Sequence, residues 1–112
     1  MDARVESELR WIARDIVHAL RANGFTKEEQ PNRQIIALGE EVGEFLGAYR
    51  RWTGQARRTG TEREAQLELA DVVITAYVTA AELGWDLDAV VRDKASNIFQ
   101  RGWREDADHS AK

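Results

Sequence analysis

The chain has 112 residues, too few for more than one domain at roughly 100–200 residues each, and its 43% apolar content is enough to build a core. It has no cysteine and only two histidines, His18 and His109, which excludes disulfides, thiolate zinc and iron–sulfur sites, a cysteine nucleophile and any multi-histidine metal site. A net charge of -4 argues against the basic stripe that binding to a nucleic-acid polymer needs.

The N-terminus opens on alternating charges (Asp2, Arg4, Glu6, Glu8, Arg10), not on a basic tip and an apolar run, so no secretory signal is expected. Val5, Leu9, Ile12, Ile16 and Leu20 recur at steps of three and four and predict a first amphipathic helix, ending near Asn23-Gly24. Pro31 stands near the start of a second helix, where a missing N–H costs least. That helix carries Ile35, Leu38, Val42, Phe45, Leu46 and Tyr49.

Thr61-Glu62-Arg63-Glu64 has the pattern of a capping box and opens a third helix, which runs to Gly84. From Leu69 to Leu83 this helix is apolar on nearly every side, so burial all round is expected. Three other helices in so short a chain can hardly cover it. A homo-oligomer, dimer or tetramer, is therefore expected, the alternative being the central helix of a monomer. Asp86 can cap a fourth helix, with Leu87, Val90, Val91, Ala95 and Ile98. No run alternates with period two beside turn signals, so no sheet is expected.

The predicted architecture is all-α: one domain over residues 1–112, a four-helix chain forming an oligomeric helical bundle, with a flexible tail from about 105. The longest nearly apolar stretch, residues 72–81, is far shorter than the ~20 residues of a spanning helix. A cytoplasmic protein with no membrane contact is expected.

The second helix contains Gly39-Glu40-Glu41-Val42-Gly43-Glu44. Glu40 and Glu41 each lie about one turn from Glu44, so the three heads are expected on one edge, where like charges repel unless a cation sits between them. Gly39, Gly43 and Gly47 each cost roughly 1 kcal/mol relative to Ala in a helix interior and would let another helix or a ligand approach closely. The third helix contains Glu68-Leu69-Ala70-Asp71, a second acidic pair one turn apart. Asp71 leads into the apolar run, and a buried ionised carboxylate must be paired, protonated or metal-bound. Within this helix the nearest cation is upstream, at Arg63.

Taken alone, such pairs are usually solvated surface; Asp71 also reads as a buried acid satisfied by a hydroxyl or an Arg. Two spaced pairs flanked by apolar residues favour a hard-oxygen cage suited to Mg²⁺, with Mn²⁺ the alternative. A ferritin-like di-iron site needs two Glu-x-x-His units, and only Asp15-Ile16-Val17-His18 comes near, in a single copy. On the fourth helix Lys94, Asn97 and Arg101 fall at steps of three and four, with Arg104 further on. They form either a clamp for phosphate oxygens or an ordinary solvated face.

Glu40-Glu41-Val42-Gly43-Glu44, then Glu68-Leu69-Ala70-Asp71, then Lys94, Asn97 and Arg101, resembles the MazG-like all-α nucleoside triphosphate pyrophosphohydrolases over residues 30–103. Gln30-Pro31-Asn32 also resembles their dCTP-pyrophosphatase-like branch. The resemblance implies Mg²⁺-dependent hydrolysis of a (d)NTP to the monophosphate and pyrophosphate, a chemistry suited to clearing surplus or aberrant nucleotides. It implies Glu41, Glu44, Glu68 and Asp71 as metal ligands. Glu40 and Glu41 would be the catalytic residues, with Glu40 orienting or deprotonating the attacking water, and Lys94, Asn97 and Arg101 would hold phosphates.

Two departures concern the base. Thr75 stands where relatives often have Tyr, with Tyr77 pointing elsewhere, and Glu29 stands by the Gln-Pro turn where the dCTP branch has base-gripping residues. Tyr49, Trp52 and Trp103 are candidate base-stacking platforms, or else core or interface aromatics. The loop over residues 50–60, with Arg50, Arg51, Arg57 and Arg58, is either a lid over a triphosphate or simply solvated. The alternatives to this activity are a phosphoribosyl-ATP pyrophosphohydrolase-like enzyme and a non-catalytic bundle that binds a nucleotide or a partner. Five of the 20 acids form the expected cage, leaving 16 positive and 15 negative groups elsewhere. The acidity of the chain is therefore largely that of one site.

Overall fold

A computed structural model describes residues 6–102; Val5, Trp103, Arg104, His109 and the expected tail from about 105 lie outside the described residues. Four helices follow in the predicted order: α1 (Glu8–Ala22), α2 (Gln30–Trp52), α3 (Glu62–Leu83) and α4 (Leu87–Arg101). No strand occurs among the described residues.

The local chemistry of the helix ends explains the boundaries. Ser7 Oγ accepts from Arg10 N at 3.2 Å and caps α1. Pro31 falls in the first turn of α2. The capping box of α3 is complete: Glu64 N donates to Thr61 Oγ1 at 3.1 Å, and Thr61 N donates to the Glu64 carboxylate at 2.8 Å. Gly84 ends α3 in the left-handed conformation, φ 76°, which a side chain would strain. Asp86 Oδ1 accepts from Ala89 N and caps α4.

Helices α2 and α3 pack side by side as a hairpin, while α1 packs on α3 alone. Contacts of α1 spread from Ser7, beside Tyr77, to Arg21, beside Glu82. The Arg21 guanidinium forms a paired hydrogen-bonded ion pair with Glu82, whose side chain is buried. Among the described residues, the hydrogen bonds and ion pairs that hold α4 to the rest of the chain gather at its N-cap and first turn. Asp88 accepts from Ser7 N at 2.9 Å, Ser7 Oγ at 2.7 Å and Tyr77 Oη at 2.9 Å, and Arg10 pairs with Asp86 at 3.3 Å. Beyond Asp88, α4 packs along no other helix.

The result is flat, 58 × 53 × 23 Å, with a radius of gyration of 18.0 Å against about 13 Å for a compact chain of this length. Its buried apolar residues are small: Ala13, Ala48, Ala65, Val78 and Ala80. Within a single chain α3 is not covered all round. Its C-terminal half is covered at Val78, Thr79 and Ala80, but Leu69 and Val73 are exposed because neither α1 nor α4 reaches them. On α2, Ile35, Ile36 (64% exposed), Val42 and Leu46 (53%) lie with Gly39 and Gly43 on the side directly away from α3. On α4, Val90, Val91 and Phe99 (76%) are exposed as well. Among the described residues no helix is long and apolar enough to cross a membrane.

Candidate metal centre

Packing of α2 on α3 brings the two acidic motifs together. One carboxylate oxygen from each of Glu41, Glu44 and Glu68 lies within 4.8 Å of the other two. Glu41 Oε2 and Glu68 Oε1 are buried and have no hydrogen-bond partner. Burial, followed by the negative charges of Glu44, Asp71 and Glu68, pushes the Glu41 carboxyl above the usual Glu range. Three like-charged heads at this distance, two of them with orphaned oxygens, are unfavourable without a cation. Their donor set, hard oxygen throughout, fits Mg²⁺ or Mn²⁺.

The other two acids stand apart from this trio. Glu40 is exposed and outside it, because consecutive helical residues are separated by about 100° and cannot face the same seam. Asp71 is exposed, which corrects the expectation of a carboxylate sunk into the apolar run; its stretch of α3 faces outward. It remains close enough for its charge to act on Glu41. Arg63 serves Gln66 Oε1 at 3.5 Å, not Asp71.

Lys94, Asn97 and Arg101 are exposed on one side of α4. Among the described residues none of them forms a hydrogen bond or ion pair with any of the five carboxylates, and α4 packs along neither helix that carries them.

The aromatic candidates lie nearer the cage. Tyr49 and Trp52 meet edge to face with ring centroids 5.9 Å apart, and Phe45 lies 6.4 Å from Tyr49. Together with Ala65, Gln66 and Leu69 they line a groove of about 220 Å³ on the α2–α3 seam. Trp103 lies outside the described residues. The arginine-rich loop folds back on its own helix: Gly60 N donates to Arg51 O at 3.2 Å, and Arg50 Nη2 donates to Gln55 O at 3.2 Å.

Two features escaped the sequence reading. Gln30, 1% exposed, lines a cavity of about 330 Å³ with Leu20, Phe25, Arg33 and Ile36; its Oε1 accepts from Gln34, while its Nε2 is buried without a partner. The Gln-Pro turn was its only signal. The Ser7–Asp88–Tyr77 cluster had no signal, since its partners lie 81 and 11 residues apart. No family model, curated protein or solved structure matches the chain, so the likeness to MazG-like enzymes rests on the motif residues alone.

Proposed function

We propose that the chain is a Mg²⁺-dependent nucleoside triphosphate pyrophosphohydrolase. The observation that carries this reading is the convergence of Glu41, Glu44 and Glu68 from two helices, with two buried carboxylate oxygens left unpartnered. These three residues would hold the metal, with Asp71 at the edge of the site. A bound Mg²⁺ supplies charge neutralisation for the phosphates and a water acidified towards neutral pH.

The chain's own groups do the rest. Water adds across the α–β anhydride, the bridging P–O bond breaks, pyrophosphate leaves, and the proton of the water passes to a carboxylate. Of the two catalytic candidates, Glu41 stands in the trio and would help hold the metal, which leaves Glu40 as the carboxylate that would take the proton. Glu40 would take part through the solvent side. The aromatic groove of Tyr49 and Trp52 starts about 7 Å along α2 from Glu44, close enough for the base or sugar of the same nucleotide. A homo-oligomer, dimer or tetramer, completes the reading.

The test is pyrophosphate release from a panel of NTPs and dNTPs with Mg²⁺, comparing wild type with Glu41→Gln and Glu68→Gln. Wild type is expected to give monophosphate and pyrophosphate from at least one substrate, and each variant to lose most of that rate. Equal inertness of folded wild type and variants on every nucleotide would refute the proposal.

A further inference from the structure

The groove beside the carboxylate trio has two walls of different chemistry. Its α2 wall carries the Tyr49 and Trp52 rings, both partly exposed, and its α3 wall carries Glu62 and Gln66. The two rings stand at 80° to each other, so a flat ligand stacked on one meets the other edge-on. The groove holds about 220 Å³, below the roughly 300–1,000 Å³ of pockets that take a whole ligand. That suits one flat heterocycle.

The α3 wall is polar, and its two groups stand one helical turn apart. Among the described residues no ion pair engages the Glu62 carboxylate, a group that can only accept hydrogen bonds when ionised. Arg63 Nη1 donates to Gln66 Oε1, which leaves the Nε2 amine of that carboxamide as its free end. The wall thus offers a pair of acceptor oxygens beside a donor. It also runs away from the trio: Gln66 is about 3 Å and Glu62 about 9 Å along α3 from Glu68. A nucleotide with its phosphates at the trio extends its base in that direction, and a base lying on a ring of α2 turns an edge to α3.

Among the common bases only guanine has an edge that matches. Its N1–H and 2-amine are adjacent donors for one carboxylate, and O6 beside them accepts from an amine. Adenine and cytosine each present one amine beside an unprotonated ring nitrogen, whose lone pair would face the carboxylate. Thymine and uracil present one N–H between two carbonyls. We infer that Glu62 and Gln66 make this groove a guanine subsite, with Glu62 accepting from N1–H and the 2-amine and Gln66 Nε2 donating to O6. The inference rests on the reading of Glu41, Glu44 and Glu68 as the metal and triphosphate site, and it adds the base that the site selects.

Hypoxanthine provides the test, since it keeps N1–H and O6 and lacks only the 2-amine. dGMP, dIMP, dAMP, dCMP and dTMP are titrated into the full chain with MgCl₂ by isothermal calorimetry. dGMP is expected to bind tightest, and dIMP about tenfold more weakly, from the loss of one hydrogen bond to a charged group. In Glu62→Ala the ratio between the two falls to about one. Gln66→Ala weakens both alike and keeps the ratio, because both carry O6. Neither substitution touches the capping box of Thr61 and Glu64, and the comparison of dGMP with dIMP on wild type needs no variant. Equal binding of dGMP and dIMP, tighter binding of another base, binding of none of the five, or an unchanged ratio in Glu62→Ala would overturn the inference.

Pyrophosphate release separates this inference from the proposed activity. An enzyme active on nucleotides with no preference for dGTP over dITP overturns the guanine subsite and leaves the activity standing. Selective dGMP binding with dGTP left intact removes the activity and leaves the subsite.

Discussion

Glu41→Gln separates a metal site from a solvated acidic surface without reference to any substrate. One pair of unit charges at 4.8 Å, the limit for the Glu41, Glu44 and Glu68 oxygens, repels by roughly 0.9 kcal/mol at the dielectric of water. Two such pairs involve Glu41, and screening at physiological salt takes away about half of their sum, leaving about 1 kcal/mol. Burial of the charged head acts in the same direction. The metal-free variant should therefore melt about 4 °C above the metal-free wild type. Mg²⁺ at ten times its dissociation constant should stabilise wild type by about 1.4 kcal/mol, or roughly 5 °C, and the variant far less. The assay is differential scanning fluorimetry with EDTA and with graded MgCl₂. A variant that melts lower than wild type in EDTA, or an equal Mg²⁺ shift in both, would refute the idea that these carboxylates are held together for a cation.

The remaining predictions concern the frame around the site. Asp88→Ala removes three hydrogen bonds to a largely buried carboxylate and should cost about 3 kcal/mol in urea denaturation, with loss of hydrogen-exchange protection in the first turn of α4. Burial alone would raise the Asp88 pKa, but the donors from Ser7 and Tyr77 outweigh it and hold the carboxyl below the ordinary Asp value. Its contribution is thus fully present above the unfolded value of about 3.9 and is lost as the pH falls through the lower folded one; wild type should show this acid loss, and Asp88→Asn should not. Arg21→Ala strands the buried Glu82 carboxylate and should lower the melting temperature clearly, whereas Arg21→Met with Glu82→Leu should recover most of the loss. Gly60→Ala would place a methyl 3.0 Å from both Arg51 Cβ and Glu64 Oε1, and should destabilise by about 1–2 kcal/mol while loosening the α2–α3 loop to proteolysis.

What the sequence reveals here is local, and what it conceals is relative position. Thr61, Gly84 and Asp86 act where their spacing says they should, because a cap is decided by residues three or four apart. Glu41, Glu44 and Glu68 meet because two separate one-turn motifs sit on helices that a short loop obliges to pack as a hairpin. Glu40 lies one turn from Glu44, as Glu41 does, yet the two neighbours diverge by about 100° and only Glu41 joins Glu44 and Glu68. Asp71 was read as buried from the apolar composition around it, but greasy neighbours imply a cover only if some element supplies it, and in one chain none reaches this stretch of α3.

The same reasoning bears on α4. Its amphipathic pattern identifies an apolar stripe beside a cationic one, while no periodicity can tell which element that stripe faces. The decision is made at its base, where Asp88 binds Ser7 across 81 residues of sequence. That contact fixes the first turn of α4 between α1 and α3 and sends the rest of the helix outward.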